Sequence, residues 1–86
     1  MAWQADFGPR AQRALKKLDR QTAARLVAYL EQTIANDPRA RGKALTGELS
    51  GFWRYRVGDW RLICRLEDER LVVLVIDVGH RREVYR

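Results

Sequence analysis

The sequence predicts an α+β fold: a small antiparallel β-sheet with an N-terminal helical hairpin packed on one of its faces. Three observations predict it. Residues 52 to 67 alternate aromatic or branched side chains with arginines, the period-2 pattern of strands. Two earlier stretches carry apolar residues at helical spacing. A later stretch, Leu71-Val72-Val73-Leu74-Val75-Ile76-Asp77-Val78, is apolar on both faces, as a covered central strand would be.

In chain order, Trp3-Gln4-Ala5-Asp6-Phe7 alternates and reads as a first strand, broken by Gly8-Pro9. Proline suits the first turn of a helix, where its missing N–H costs nothing. Ala11, Ala14, Leu15 and Leu18 give that helix its stripe, with Arg10, Arg13, Lys16 and Lys17 on its other sides. Asp19 is placed to cap a second helix. The second stripe is Ala23, Leu26, Val27, Leu30 and Ile34, and Asn36-Asp37-Pro38 ends it. The short join predicts that the two helices form an antiparallel hairpin. Residues 37 to 51 read as loop, tethered through Leu45 in Lys43-Ala44-Leu45.

Gly58-Asp59 divides the arginine stretch and suits a two-residue hairpin turn, because glycine takes the positive φ of the first central position. The register then follows: Val57 opposite Trp60, Arg56 opposite Arg61, Tyr55 opposite Leu62, Arg54 opposite Ile63. Trp53, Tyr55, Val57, Trp60, Leu62 and Cys64 share a core face. Arg54, Arg56, Arg61 and Arg65 point the other way. Glu67-Asp68-Glu69-Arg70 makes the next turn, where the carboxylates read as solvated. Two registers remain open for the last hairpin, and they put Asp77 and Gly79 on opposite faces.

Eighty-six residues make a single domain, 1–86, able to build one core. The balance of 17 basic against 11 acidic residues gives +6 and a pI near 10.2, which predicts attraction to nucleic acid or another acidic surface. Eight of the 33 residues from Arg54 to Arg86 are arginine, so the charge is not confined to a tail. The single Cys64 excludes an internal disulfide. No apolar run suggests a membrane span or signal peptide, and a cytoplasmic location is expected.

One His and one Cys supply no familiar zinc set, and there is no phosphate-cradling glycine loop or nucleophile elbow. No metal site or cofactor is expected. Two arginines facing each other across a ladder repel by about 0.2–1 kcal/mol. Either their long stems splay into water, or an anion fills the gap, for which the planar guanidinium fork is suited. Together with His80, Arg81, Arg82 and Tyr85, the arginines fit phosphodiester chemistry. Cleaving RNA without a metal requires removal of the 2′-OH proton, cations for the charge on the phosphoryl oxygens, and an acid for the leaving 5′-oxygen. The arginines can hold charge, and Tyr85 and His80 can exchange protons.

These residues resemble the RelE family of bacterial toxins, within the RelE/ParE superfamily of toxin–antitoxin pairs. The likeness rests on Trp53-Arg54-Tyr55-Arg56-Val57, Trp60-Arg61-Leu62 and Val75-Ile76-Asp77-Val78-Gly79-His80-Arg81-Arg82-Glu83-Val84-Tyr85. Phe7 with its Ala/Leu/Lys helix, and the Lys43-Leu45-Gly47 loop, also fit. The resemblance implies an mRNA endonuclease working on the 70S ribosome, beside 16S rRNA, that cuts message in the A site. It also implies a cognate antitoxin that wraps the toxin in a heteromeric complex.

Carried over by position, the implied catalytic set is Arg54, Arg56, Arg61, Arg81 and Tyr85. His80 is a candidate acid or base, and Arg65, Arg82 and Lys43 are expected to bind RNA. Three departures from the family pattern matter. Arginines stand at 54 and 56, where the family often has lysines; arginine stays protonated and is a poor general base. The turn between Arg56 and Arg61 is two residues shorter than in some members. The chain stops at Arg86, so a displaceable helix after the tyrosine is not expected, and an antitoxin covering the basic face directly is the simpler switch. A ParE-like toxin that inhibits DNA gyrase without cutting RNA is the alternative of another class. A decayed toxin that only binds its antitoxin is a third.

Overall fold

The computed structural model describes residues 3–80. Strand β1 (Gln4–Phe7) is followed by α1 (Pro9–Lys16) and α2 (Arg20–Tyr29), then β2 (Lys43–Ala44), β3 (Phe52–Val57), β4 (Trp60–Glu67) and β5 (Val72–His80). The five strands form one sheet in the order β1-β5-β4-β3-β2.

The local chemistry of the helix starts is as expected. Pro9 opens α1. Asp19 caps α2, its carboxylate accepting from the Thr22 amide at 3.0 Å and the Thr22 hydroxyl at 2.6 Å. The second helix does not run unbroken to Ile34. After Tyr29 it widens into one π-helical turn, Leu30–Ile34, closed by the Ala35 amide donating to the Leu30 carbonyl at 2.8 Å. Leu30 and Ile34 both remain fully buried.

The sheet is mixed rather than wholly antiparallel, because β1 pairs parallel with β5. A parallel pair cannot be closed by a tight hairpin, and here both helices and strands β2 to β4 lie in the chain between the two partners. The remaining pairings are antiparallel. The supposed loop of residues 37 to 51 also differs from expectation. It contains 3-10 turns at Pro38–Ala40 and Gly47–Leu49, and Lys43–Ala44 adds to the sheet as β2. The tether is a backbone one: the Leu45 amide donates to the Phe52 carbonyl at 2.9 Å.

The β3–β4 register is the expected one throughout, Val57 on Trp60 to Phe52 on Arg65. Gly58 has φ +62° at the turn. The core lies between the helices and one sheet face, built from Ala11, Leu26, Leu30, Ile34, Tyr55, Leu62, Cys64, Val73 and Val75 among others. Burial pushes the thiol of Cys64 and the phenol of Tyr55 far above their ordinary pKa values. The Tyr55 hydroxyl still donates to the Pro38 carbonyl at 2.8 Å, which pins the 3-10 turn to the sheet.

Asp68 is not simply solvated. It accepts two hydrogen bonds from Arg39, at 2.8 and 2.9 Å. Arg39 also lies 5.9 Å over the Trp3 ring, so one guanidinium joins three segments. Arg39 holds the Asp68 carboxyl below its usual 3.8, and the Thr22 hydroxyl does the same for Asp19. A lowered folded-state pKa contributes stability that is full above the unfolded value and is lost as pH falls through the folded one. The stability gap between wild type and Asp68→Asn is therefore expected to be constant near neutrality. It should close below about pH 3.8 in denaturant titrations.

Candidate nucleic-acid face

The site grows out of the β3–β4 hairpin. Alternation sends Tyr55 and Val57 into the core and Arg54 and Arg56 to the opposite face. On β4 the same rule buries Leu62 and Cys64 in the core and sends Arg61, Ile63 and Arg65 the other way. Adjacent strands lie about 4.8 Å apart, so the pairings define rows of neighbours. Lys43, Arg54 and Ile63 form one row, Arg56, Arg61 and Gly79 the next, and Phe52, Arg65 and Leu74 a third.

Strand β2 thus brings Lys43 directly beside Arg54. The face holds Lys43, Arg54, Arg56, Arg61 and Arg65, with Phe52, Ile63 and Leu74 between them. It is not left to the arginines alone, since Ile63 is buried on it. Arg56 and Arg65 are exposed and Arg54 is half-buried. Arg61, at 8% exposure, is the one buried charged residue among those described. Gly79 lies across the ladder from it. Arg54 and Arg61 also engage partners within the chain. Reduced access to water strengthens the field that such a guanidinium presents to an anion.

The last hairpin resolves through a β-bulge. Ile63 pairs with Asp77 but Cys64 with Val75, so Ile76 is an extra residue in β5. It reverses the alternation beyond it. Val78 joins Val73 and Val75 in the core, and Gly79 falls on the arginine side. His80 pairs with Trp60, and the two rings meet edge to face at 5.6 Å. Trp60 packs against the core on the helix side, so the structure groups His80 with Trp60 and not with the arginine rows. Arg81, Arg82 and Tyr85 lie outside the described residues.

Gly42 gave no signal in the sequence beyond a loop residue. It has φ +69°, and a Cβ there would stand 2.6 Å from the Tyr55 ring and press on the Arg54 carbonyl. Its bare backbone lets β2 dock. The described residues contain no group of three or more His, Cys, Asp or Glu arranged to hold a metal ion. None of their helices is long and apolar enough to cross a membrane.

Residues 6–85 match the family model described as the ParE toxin of the type II toxin–antitoxin system parDE. The chain is 34% identical to Toxin RelG of Mycobacterium tuberculosis, over 100% of this chain and 99% of that one. It is 32% identical to Toxin RelE of the same organism, over 88% and 78% of the two chains. The crystal structure of the toxin–antitoxin complex RelBE2 from M. tuberculosis superposes with a TM-score of 0.90, at 31% identity, over 96% of this chain and 95% of that one. The isolated E. coli RelE toxin superposes with a TM-score of 0.76, also at 31% identity, over 98% and 92%. The chain belongs to the RelE/ParE family and is a RelE-like toxin of a type II toxin–antitoxin system.

Proposed function

We propose that this toxin is a ribosome-dependent mRNA endoribonuclease that cuts message in the ribosomal A site and so stops translation in the cytoplasm. The observation that carries the reading is the cationic face, with Lys43 beside Arg54 and Arg56 beside Arg61 across neighbouring strands. The message's 2′-oxygen attacks the adjacent phosphorus and the bond to the 5′-oxygen breaks. A 2′,3′-cyclic phosphate and a 5′-hydroxyl result, the proton passing from the 2′-oxygen to the leaving 5′-oxygen.

Arg54, Arg56, Arg61 and Arg81 hold the charge that grows on the phosphoryl oxygens. Arg65, Arg82 and Lys43 hold the flanking backbone. Tyr85 orients the nucleotide or shares in the proton transfers with water or ribosomal groups. His80, the candidate acid or base, lies on the Trp60 side of the sheet. A cognate antitoxin neutralises the toxin by covering the basic face. Support for this partner comes from RelE-type relatives whose structures are toxin–antitoxin complexes.

The test is primer extension of a defined message on programmed ribosomes with purified protein. Cuts within the A-site codon, absent in a heat-inactivated control, are expected. No cuts, with loss of DNA supercoiling on induction, would overturn the reading in favour of gyrase inhibition.

A further inference from the structure

A second cationic feature lies on the helix side of the sheet. An open groove of about 620 Å³ runs between α1 and the end of β5, walled by Arg10, Arg13 and Lys17 and floored by Trp60, Val78 and Gly79. The three cations fall on one side of α1 at spacings of three and four residues. Among the described residues one acid faces them: the Asp77 carboxylate lies 3.4 Å from Arg10 Nε. The groove therefore carries a net positive charge, with Trp60 among the residues that line it.

Its position decides what it suits. Trp60 and Arg61 are consecutive in β4 and project to opposite faces, and Gly79 pairs with Arg61. The groove and the arginine rows thus meet at the same end of the sheet. From Arg10 to Lys17 the helix rises about 10 Å, a span along which the backbone of a strand can meet more than one cation. A basic track with an aromatic platform is the usual build for a single strand.

We infer that this groove is a second RNA-backbone site, which takes the phosphates of a strand continuing around the sheet's end from the arginine face. The inference extends the RNA reading proposed above. Arg13 and Lys17 contact phosphate, Trp60 offers its ring to a base, and Asp77 fixes Arg10.

The experiment measures salt-dependent binding of purified toxin to a short single-stranded RNA. Arg13→Gln with Lys17→Gln is compared with Lys16→Gln with Arg70→Gln, which removes the same charge elsewhere. Losing two phosphate contacts should flatten the slope of log K against log salt by about 1.4, and the control pair should leave it at the wild-type value. Equal slopes in both pairs overturn the inference. So does a groove variant that binds RNA as wild type does but binds the antitoxin more weakly, since the groove then seats an acidic polypeptide.

A photocrosslinker on Lys17→Cys, assembled on programmed ribosomes, distinguishes message from ribosomal RNA. The native Cys64 is fully buried and will not compete for the label. Crosslinks to either RNA support the site, and crosslinks to protein alone overturn it. If the groove variant flattens the slope while wild-type toxin cuts no message, the groove stands as an RNA site and the nuclease reading falls.

Discussion

Arg61→Ala is expected to lower A-site cleavage by roughly 100- to 1,000-fold, the usual loss when one preorganised donor to a developing oxyanion is removed. Three features single this residue out among the cations. It is the buried one, it has Arg56 on one side across the ladder, and it has a glycine on the other. A guanidinium so enclosed keeps its direction and cannot swing into solvent as Arg56 or Arg65 can. Because it is buried, loss of activity must be separated from loss of fold. Near-UV circular dichroism and urea unfolding of the variant supply that control. Arg61→Lys keeps the charge but loses the planar fork, and should recover part of the activity. A folded Arg61→Ala protein that cuts at the wild-type rate would remove Arg61 from the mechanism. Arg56→Ala, at an exposed position, should lose less.

Gly42→Ala is expected to destabilise the protein by about 2–5 kcal/mol. About 1–2 kcal/mol comes from forcing an L-residue to positive φ, and about 1–3 kcal/mol from crowding a packed site. The crowding is against backbone and a buried ring, the Arg54 carbonyl and the Tyr55 side chain, neither of which has room to retreat. The chain's simplest relief is to lift β2 from β3, which carries Lys43 away from Arg54. Urea unfolding measures the first effect. Hydrogen exchange at the Leu45 amide, which donates to the Phe52 carbonyl, measures the second. Wild-type stability with a protected Leu45 amide would show that the strand accommodates the methyl.

The parts of the fold written in local alternation were legible in the amino-acid sequence. Residues 52 to 67 fixed the hairpin register because every second side chain is apolar and Gly58-Asp59 leaves one turn length. The rows of arginines followed from that register. The bulge was not legible, because Val72-Val73-Leu74-Val75-Ile76 is apolar at every position and hides an inserted residue. The two open registers of the last hairpin left Asp77 and Gly79 without an assigned side. Strand β2 escaped notice because two residues between glycines carry no period. The pairing of Asp68 with Arg39, and the groove beneath α1, depend on segments distant in sequence. Arg81, Arg82 and Tyr85 rest on resemblance alone.

The extra residue in β5 works as a parity switch, and it separates length from side. Counting by twos from Val75 would send Asp77 and Gly79 into the core, and Val78 and His80 out to the arginines. The bulge at Ile76 instead puts Val78 in the core, Gly79 beside Arg61 and His80 against Trp60, while the Asp77 carboxylate reaches Arg10 on α1. A shorter chain of this type, lacking only that residue, can pair without a bulge and keep each of these side chains where it is here. A chain of equal length with an unbroken ladder would swap them, placing an imidazole among the arginine rows and a bare glycine under the helices. A one-residue alignment gap at this point of β5 is therefore chemically quiet, whereas an ungapped match can hide an inversion. Roles transferred between such chains follow the ladder partner, Arg61 for Gly79 and Trp60 for His80, and not the residue count.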